Sequence, residues 1–344
     1  MIRIGVIGGG QIVRRRHLPE ILDNPYAEVG AVCDVVASRA EELAQQYHCT
    51  PYTDYHALIQ DPSLDAVIVA ATNVTHAAMT VEALRAGKHV MCEKPMAVSL
   101  EEAREMMRAS EETGKMLFMA QNQRLAPAHM KAKEILAGGT LGKVITFRSI
   151  FGHPGCEHWA NEKKKTWFFK KDISVFGCLG DLGIHKIDVV RWMMDDEFTE
   201  VFAKVETLSK KDDQDRPIEV EDNATMILKT RGNATGTITV SWTYEYEDSS
   251  TVFYCENGVM TIYGDPKYQI VIRRNDGSAD FYQVGEIPNN IVQVKSGIID
   301  EFVDCLRRGG PATISGKDGY EPLKVVFAAY ESARTNAVIK LDQE

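Results

Sequence analysis

A lysine, Lys94, stands between Glu93 and Pro95 at the end of the short apolar run "HVMC". Solvation alone gives a lysine no reason to sit there, and the proline that follows restricts its backbone. Further along, "DLGIHK" places Asp181 and His185 four residues apart, on one face if the segment is helical. Together these groups suit removal of hydride from a carbinol carbon. The hydroxyl proton must leave as the hydride does, which requires a base of near-neutral pKa. His185 fits that role, because the positive end of a helix beginning at Gly180 would favour neutral imidazole. Lys94 would hydrogen-bond the substrate oxygen and stabilise a developing alkoxide. Asp181 would orient His185 or bind a neighbouring hydroxyl. Lys94 acting as the base, its pKa depressed by burial, is the main variant. The alternative without chemistry is a surface Lys94 paired with Glu93, with His185 and Asp188 on an ordinary helix face.

A second constellation lies at the start of the chain. "VIGGGQIVRRRH" gives Gly8-x-Gly10-x-x-Val13 between a strand pattern and a helix pattern. The first glycine permits a tight turn, and the second lets the backbone approach a pyrophosphate held by the helix N-terminus. Val13 in place of a third small residue asks for wider helix–strand spacing. Asp34 ends the next strand, 21 residues past Val13. It can accept hydrogen bonds from an adenosine ribose, and its charge would repel a 2′-phosphate, which favours NAD. Arg39 leaves NADP open. The competing role for Asp34 is capping of the following helix.

These residues need a frame. The first third alternates apolar runs ("IRIGVIG", "AEVGAVCD", "DAVIVAAT", "HVMCEKP", "KMLFMAQN") with helical patterns. Strands apolar throughout and separated by helices predict a parallel sheet covered on both faces, an α/β doubly wound domain over residues 1–123. Ser99 followed by Glu102 is a capping-box start for the helix from residue 100. Residues 124–344 read as a second, α+β domain: a strand at "KVITFRSIF", a helix at "LGIHKIDVVRWMM", mostly antiparallel strands over 198–284 and two closing helices. The last helix is expected to pack back toward the first domain.

Composition excludes several classes. The chain of 344 residues carries a net charge of −10, which argues against nucleic acid or an anionic membrane as partner. No apolar run is long enough for a membrane span. The N-terminus enters a strand pattern without a signal-peptide layout. Seven scattered cysteines with no C-x-x-C pair fit reduced thiols in a cytoplasm.

The motifs "GGGQIVRRRHLP", "TNVTH", "AGKHVMCEKP", "NQRLAP", "GDLGIHKIDVVRW" and "YESARTNAVIKL" occur in order along nearly the whole chain. In this the sequence resembles the glucose–fructose oxidoreductase / inositol 2-dehydrogenase / rhizopine-catabolism family, Gfo/Idh/MocA. The resemblance implies an N-terminal Rossmann domain and a C-terminal domain with an open antiparallel sheet, one face of which makes the subunit interface of a homodimer or homotetramer. It implies an NAD(P)-dependent oxidoreductase acting on a secondary alcohol of a sugar, inositol or glycoside, with Lys94, Asp181 and His185 as the catalytic triad. Cofactor contacts are expected from Gly8, Gly10, Gln11, Ile12, Asp34 and Arg39. Thr72, Asn73, His76, Glu93, Lys94 and Asn122 are expected to add further cofactor contacts, His76 near the nicotinamide end.

Other features carry less. His153, Cys156, Glu157 and His158 crowd one loop, but their spacing matches no zinc pattern, and no metal is expected. The loop reads as lining the substrate pocket, with Arg124, His153, His158, Trp159 and Trp167 as substrate candidates. The tryptophans offer flat faces to a sugar or pack beneath the loop. Lysines around "EKKKTWFFKK" read as a solvated loop or a recruiting patch for an anionic substrate. "SVFGCLGD" carries bulky Val175 and Phe176 where relatives have glycines. Two further functions stay open: a catalytically silent nucleotide-binding sensor, and a glycoside-processing enzyme that oxidises C3 transiently and recycles NAD. Retention of Lys94, Asp181 and His185 together counts against the sensor.

Overall fold

Runs in which nearly every residue is apolar can only be strands buried on both faces, and the first such run sets the centre of a sheet. In the computed structural model, which describes residues 1–160, 162–285 and 295–341, six strands form it. They are β1 (Ile2–Ile7), β2 (Ala27–Cys33), β3 (Thr50–Tyr52), β4 (Ala66–Val69), β5 (His89–Cys92) and β6 (Leu117–Met119). All pairs are parallel, in the order β3-β2-β1-β4-β5-β6. That is the doubly wound order, with its switch point beside β1. Edge strand β3 is one more than the apolar runs announce. It has three residues, one of them Pro51, and no alternation to read.

The helix after β1 runs from Gln11 to Asp23 and contains a π-turn over Val13–His17, closed by the Leu18 N–H donating to the Val13 carbonyl. Pro19 has no N–H to give and its ring would crowd the carbonyl four residues back, so the wider turn accommodates it. Val13 is fully buried within that turn. Ser99 caps the helix Leu100–Thr113: the Glu102 N–H donates to Ser99 Oγ at 3.1 Å, and the Glu102 carboxylate accepts from Val98 N at 3.1 Å. The carboxylate therefore reaches one residue beyond the usual capping-box donor.

This first unit comprises Met1–Asn122, Ile173–Val175 and the described residues 295–320. The last of these follows the second stretch in sequence yet joins the first unit. The helix Ile298–Arg308 is held there by the Glu20 carboxylate, which accepts from Ser296 N at 2.6 Å and Ile299 N at 3.3 Å. Phe302 packs on Phe118 of β6 at 5.5 Å.

The second unit takes Gln123–Asp172 and the described residues 176–285 and 321–341. Its sheet contains β7 (Val144–Gly152), β8 (Phe198–Glu206), β9 (Asn223–Thr230), β10 (Thr235–Ser241) and β11 (Thr251–Cys255). It is completed by β12 (Gly258–Ile262), β13 (Ile270–Arg274), β14 (Ala279–Tyr282) and β15 (Ile339–Lys340). The order is β14-β13-β12-β11-β7-β10-β9-β8-β15, antiparallel except for the β7–β10 pair. Alternation sorts the faces: Met226, Ile238, Phe253, Met260 and Ile272 are buried, and the helices Pro127–Ala137 and Ile184–Met194 lie on the sheet. The opposite face carries Ile227, Tyr254 and Phe281, each 42–50% exposed.

Candidate active site

In the first unit, the turn after β1 requires its glycine. Gly8 has φ +108°, and a Cβ there would stand 2.2 Å from the Ala70 carbonyl oxygen. Gly10 has open space where a Cβ would project, with nothing within 4 Å. The pair forms a backbone cradle at the start of the helix that begins at Gln11, with Ile12 in the same first turn. Asp34 ties this cradle to the end of β2: Gly9 N–H donates to one carboxylate oxygen at 2.9 Å and Val36 N–H to the other at 2.8 Å. The helix Ala37–Tyr47 has no side-chain cap, so Asp34 fixes the turn before that helix and does not cap it, while each oxygen keeps a lone pair for ribose hydroxyls. Arg14 is committed to Glu42 through two bonds of 2.9 Å and to the Gly9 carbonyl at 3.0 Å. Arg39 lies half-buried in the helix Ala37–Tyr47. Bare glycine backbone at a helix start plus a strand-end carboxylate fit an adenine dinucleotide.

Lys94 follows β5, half-buried, and its peptide bond to Pro95 is cis. Its neighbours are anchored from behind. Glu93 is buried and receives a 2.8 Å hydrogen bond with His17 Nε2, while the Lys94 N–H donates to its other oxygen at 3.1 Å. Burial opposes the Glu93 charge, but the hydrogen bond from His17 and the nearby positive charges outweigh it and hold the carboxyl below its usual range. Glu93 therefore pairs with a buried histidine, and the surface Lys94–Glu93 arrangement does not occur in that form. On the other side, His76 Nδ1 lies 2.8 Å from the Pro95 carbonyl and Nε2 lies 3.2 Å from that of Ala71. Burial lowers the His76 pKa, opposed by the two backbone carbonyls that face the ring and by the nearby Glu93 charge. His76 thus braces the Lys94–Pro95 turn. Asn73, also buried, spends its amide on the Ser174 carbonyl at 2.8 Å, and the Thr72 carbonyl accepts the Thr75 hydroxyl at 2.8 Å. Asn122 follows β6 at the start of a short 3-10 turn.

In the second unit the helical stretch begins at Cys178 rather than Gly180 and opens with a π-turn over Leu179–Gly183, closed by the Ile184 N–H donating to the Leu179 carbonyl. Asp181 sits in the π-turn and His185 in the first α-turn. π-turns inside helices occur often at functional sites. Trp242, fully buried just after β10, donates its indole N–H to Asp181 Oδ2 at 3.2 Å. Glu221 holds the start of the helix, accepting from Gly177 N at 2.8 Å and Leu179 N at 3.0 Å. Burial pushes Glu221 up to about 7, against the opposing effect of the Tyr330 hydroxyl and these backbone donors. Phe151 of β7 lies 6.5 Å from the His185 ring and 6.0 Å from that of His153. His153 Nδ1 accepts from Gly155 N at 2.9 Å, which fixes its proton on Nε2. Lys186, next to His185, is also buried: its amine donates to the Ser249 carbonyl at 2.7 Å, and burial brings its pKa to about 7.

Several candidates have structural partners. Arg124 is buried and forms a two-pronged pair with Asp188 at 2.8 and 2.5 Å, so its guanidinium fastens the turn after β6 to the helix bearing His185. Trp159 meets the edge of Phe168 at 5.0 Å, and Trp167 stacks on the same ring at 3.9 Å. Both tryptophans thus share Phe168 as a neighbour, and each keeps part of its surface exposed. His158 is largely exposed, 3.9 Å from Glu157, which pairs with Lys210. Among the described residues no group of three His, Cys, Asp or Glu side chains is placed to hold a metal ion. Val175, where a glycine was expected, adopts φ +66°, a conformation costly for a β-branched residue, and Phe176 is buried against Tyr330 and Phe327.

Trp242, Glu221 and His17 stand out only in the folded chain. Each acts through a long-range bond onto a motif residue, and none has a local signature.

A parallel sheet in this order, a glycine cradle and a strand-end acid define a dinucleotide-binding domain. Residues 2–121 match the family model described as "Oxidoreductase family, NAD-binding Rossmann fold", and residues 129–261 match the GFO/IDH/MocA C-terminal domain. The chain belongs to the GFO/IDH/MocA family of oxidoreductases. It is similar to myo-inositol 2-dehydrogenase of Thermotoga maritima, 27% identical over 99% of both chains. It is also 25% identical to 1,5-anhydro-D-fructose reductase of Ensifer adhaerens over 99% of both chains. Among solved structures it resembles an aldose-aldose oxidoreductase from Caulobacter crescentus complexed with glycerol, with 25% identity, 99% of both chains covered and a TM-score of 0.84. No helix among the described residues is long and apolar enough to cross a membrane.

Proposed function

We propose that this enzyme moves a hydride between NAD and a secondary alcohol of a sugar, inositol or other polyol. Residues 1–123 hold the cofactor and residues 124–344 the substrate. The observation that carries this is the anchoring of Lys94: the residues on both sides of it are held by buried histidines, His17 and His76. A lysine merely solvated at a strand end needs no such support. NAD, when bound, supplies the hydride acceptor. His185 takes the hydroxyl proton, Lys94 hydrogen-bonds the same oxygen, and Asp181, aimed by Trp242, orients His185 or a neighbouring hydroxyl. Asp34 beside the glycine turn favours NAD over NADP. The substrate class follows the relatives, which act on inositol and an anhydro sugar.

The enzyme works in the cytoplasm, in keeping with seven free cysteines, and pairs through the open face of its sheet into a homodimer or homotetramer. The outward Ile227, Tyr254 and Phe281 support that face; light scattering that returns a monomer would remove the pairing.

The test is turnover of NAD and NADP by purified protein against cyclic polyols and sugars, with Lys94→Ala alongside. Alcohol-dependent NADH formation lost in the variant supports the reading. Conversion of a sugar or release of an aglycone without net NADH would instead identify a redox cycle that closes on itself. Tight cofactor binding without turnover would identify a sensor.

A further inference from the structure

We propose that Glu42 helps set the cofactor preference by withholding Arg14 from a 2′-phosphate, a role that rests on the NAD-dependent reading above. Arg14 lies on the π-turn Val13–His17, just past the glycine cradle, and Glu42 on the helix Ala37–Tyr47 that follows β2. Arg14 Nη1 and Nη2 donate to the two Glu42 carboxylate oxygens at 2.9 Å each, and Nε donates to the Gly9 carbonyl at 3.0 Å. A guanidinium grips an anion with paired N–H groups, either end-on through its two Nη atoms or side-on through Nε and one Nη. Glu42 takes the end-on pair and the Gly9 carbonyl takes Nε from the side-on pair. Neither pair is left for a phosphate.

The place of the pair names the group it would meet. The Gly9 N–H donates to Asp34 Oδ2 at 2.9 Å, while the carbonyl of the same residue accepts from Arg14. One glycine therefore separates the arginine from the carboxylate assigned to the adenosine ribose. A Cβ at Gly9 would stand 2.8 Å from Asp34 Oδ2 and 3.3 Å from Leu43, the neighbour of Glu42, so cradle, strand-end acid and this helix converge. The bond to Glu42 is the first cause of the raised Arg14 pKa, and the Asp34 charge adds to it. The Glu42 side chain is 62% exposed and that of Arg14 23%, so a ligand can reach both. A phosphate on the ribose 2′-oxygen brings about two negative charges. Asp34 repels it, and Glu42 occupies the cation that would offset the repulsion. The Nε bond to Gly9 distinguishes this arrangement from an ordinary tie between helices, because it holds the guanidinium at the cradle itself.

The test is calorimetric binding of NAD⁺ and NADP⁺ to the full chain, with no turnover required. The wild type is compared with Glu42→Gln, Arg14→Met and the double variant, and Glu42→Ala serves as a second variant with the same expectation as Glu42→Gln. Glu42→Gln should tighten NADP⁺ binding about fivefold, the worth of an exposed ion pair that no longer has to be broken, and change NAD⁺ binding by less than about twofold. Adding Arg14→Met should erase that gain, whereas Arg14→Met alone should cost NADP⁺ less than it does beside Glu42→Gln. Equal NADP⁺ affinity in the wild type and both Glu42 variants overturns the proposal. So does a gain that survives Arg14→Met, which would mark the simple removal of a negative charge. An equal gain for NAD⁺ and NADP⁺ would mark a general effect on adenosine binding and also overturn it. A wild type that binds neither nucleotide would remove the NAD-dependent reading itself, a different failure.

Discussion

Glu221 offers a quantitative test of how the helix that carries Asp181 and His185 is held. Its carboxylate is buried and accepts the Gly177 and Leu179 N–H groups at the start of the helix that carries Asp181 and His185. Burial raises its pKa from 4.5 to about 7, which corresponds to about 3 kcal/mol between the two protonation states. Because the folded protein holds this proton more tightly than the unfolded chain, the contribution is fully present below pH 4.5 and is lost as pH rises through about 7. Glu221→Gln keeps an oxygen for both N–H donors and removes the charge. Urea unfolding of the two proteins from pH 4.5 to 8 should therefore show nearly equal stabilities at the acid end. At the alkaline end the glutamine variant should gain about 3 kcal/mol, seen as a rise on the order of 5 °C in Tm. The difference between the curves cancels every other titrating group. A difference that stays constant with pH, or a glutamine variant less stable at pH 8, would mean that Glu221 does not hold its proton in this way.

Three further outcomes follow from single contacts. Trp242→Phe removes the 3.2 Å donor to Asp181 and should lower kcat by about tenfold to a hundredfold with little change in KM, since a hydrogen bond to a charged group is worth about 1.5–3 kcal/mol. Asp34→Asn keeps an acceptor for Gly9 but drops the charge, so the ratio of NAD to NADP affinity should fall by about tenfold or more in fluorescence titration. Gly8→Ala drives a methyl group to 2.2 Å from the Ala70 carbonyl oxygen at φ +108°, and should destabilise the first unit by at least about 3 kcal/mol in urea unfolding while abolishing dinucleotide binding.

The parts of this protein legible in sequence are those whose signal is local. Continuous apolar runs mark β1, β2, β4, β5 and β6, and Ser99 with Glu102 marks a helix start, because burial and capping leave periodic traces. Edge strand β3 left none, since three residues including a proline carry no period. The two π-turns were also hidden. One arises from Pro19 downstream and the other sits where the helix is held by Glu221, so neither follows from the spacing of apolar residues. Residue types and order pointed to Lys94, Asp181 and His185 as candidates, but the contacts around each came only with tertiary structure. His17 reaches Glu93 across 76 residues and Trp242 reaches Asp181 across 61. Arg124 illustrates the reverse case. A charged residue after a strand end looks available for substrate until its buried partner, Asp188, is seen.

In the proposed mechanism hydride passes directly between a carbinol carbon and NAD, with His185 as the base. The most direct measurement is a single turnover with a polyol deuterated at the reacting carbon, followed by mass analysis of the reduced cofactor, for the wild type and His185→Gln. The wild type is expected to transfer deuterium fully into the cofactor. In the variant the rate should fall about a hundredfold to ten-thousandfold and recover as pH is raised, when solvent can take the proton. Cofactor reduced without deuterium, or a variant as fast as the wild type at neutral pH, would contradict that mechanism.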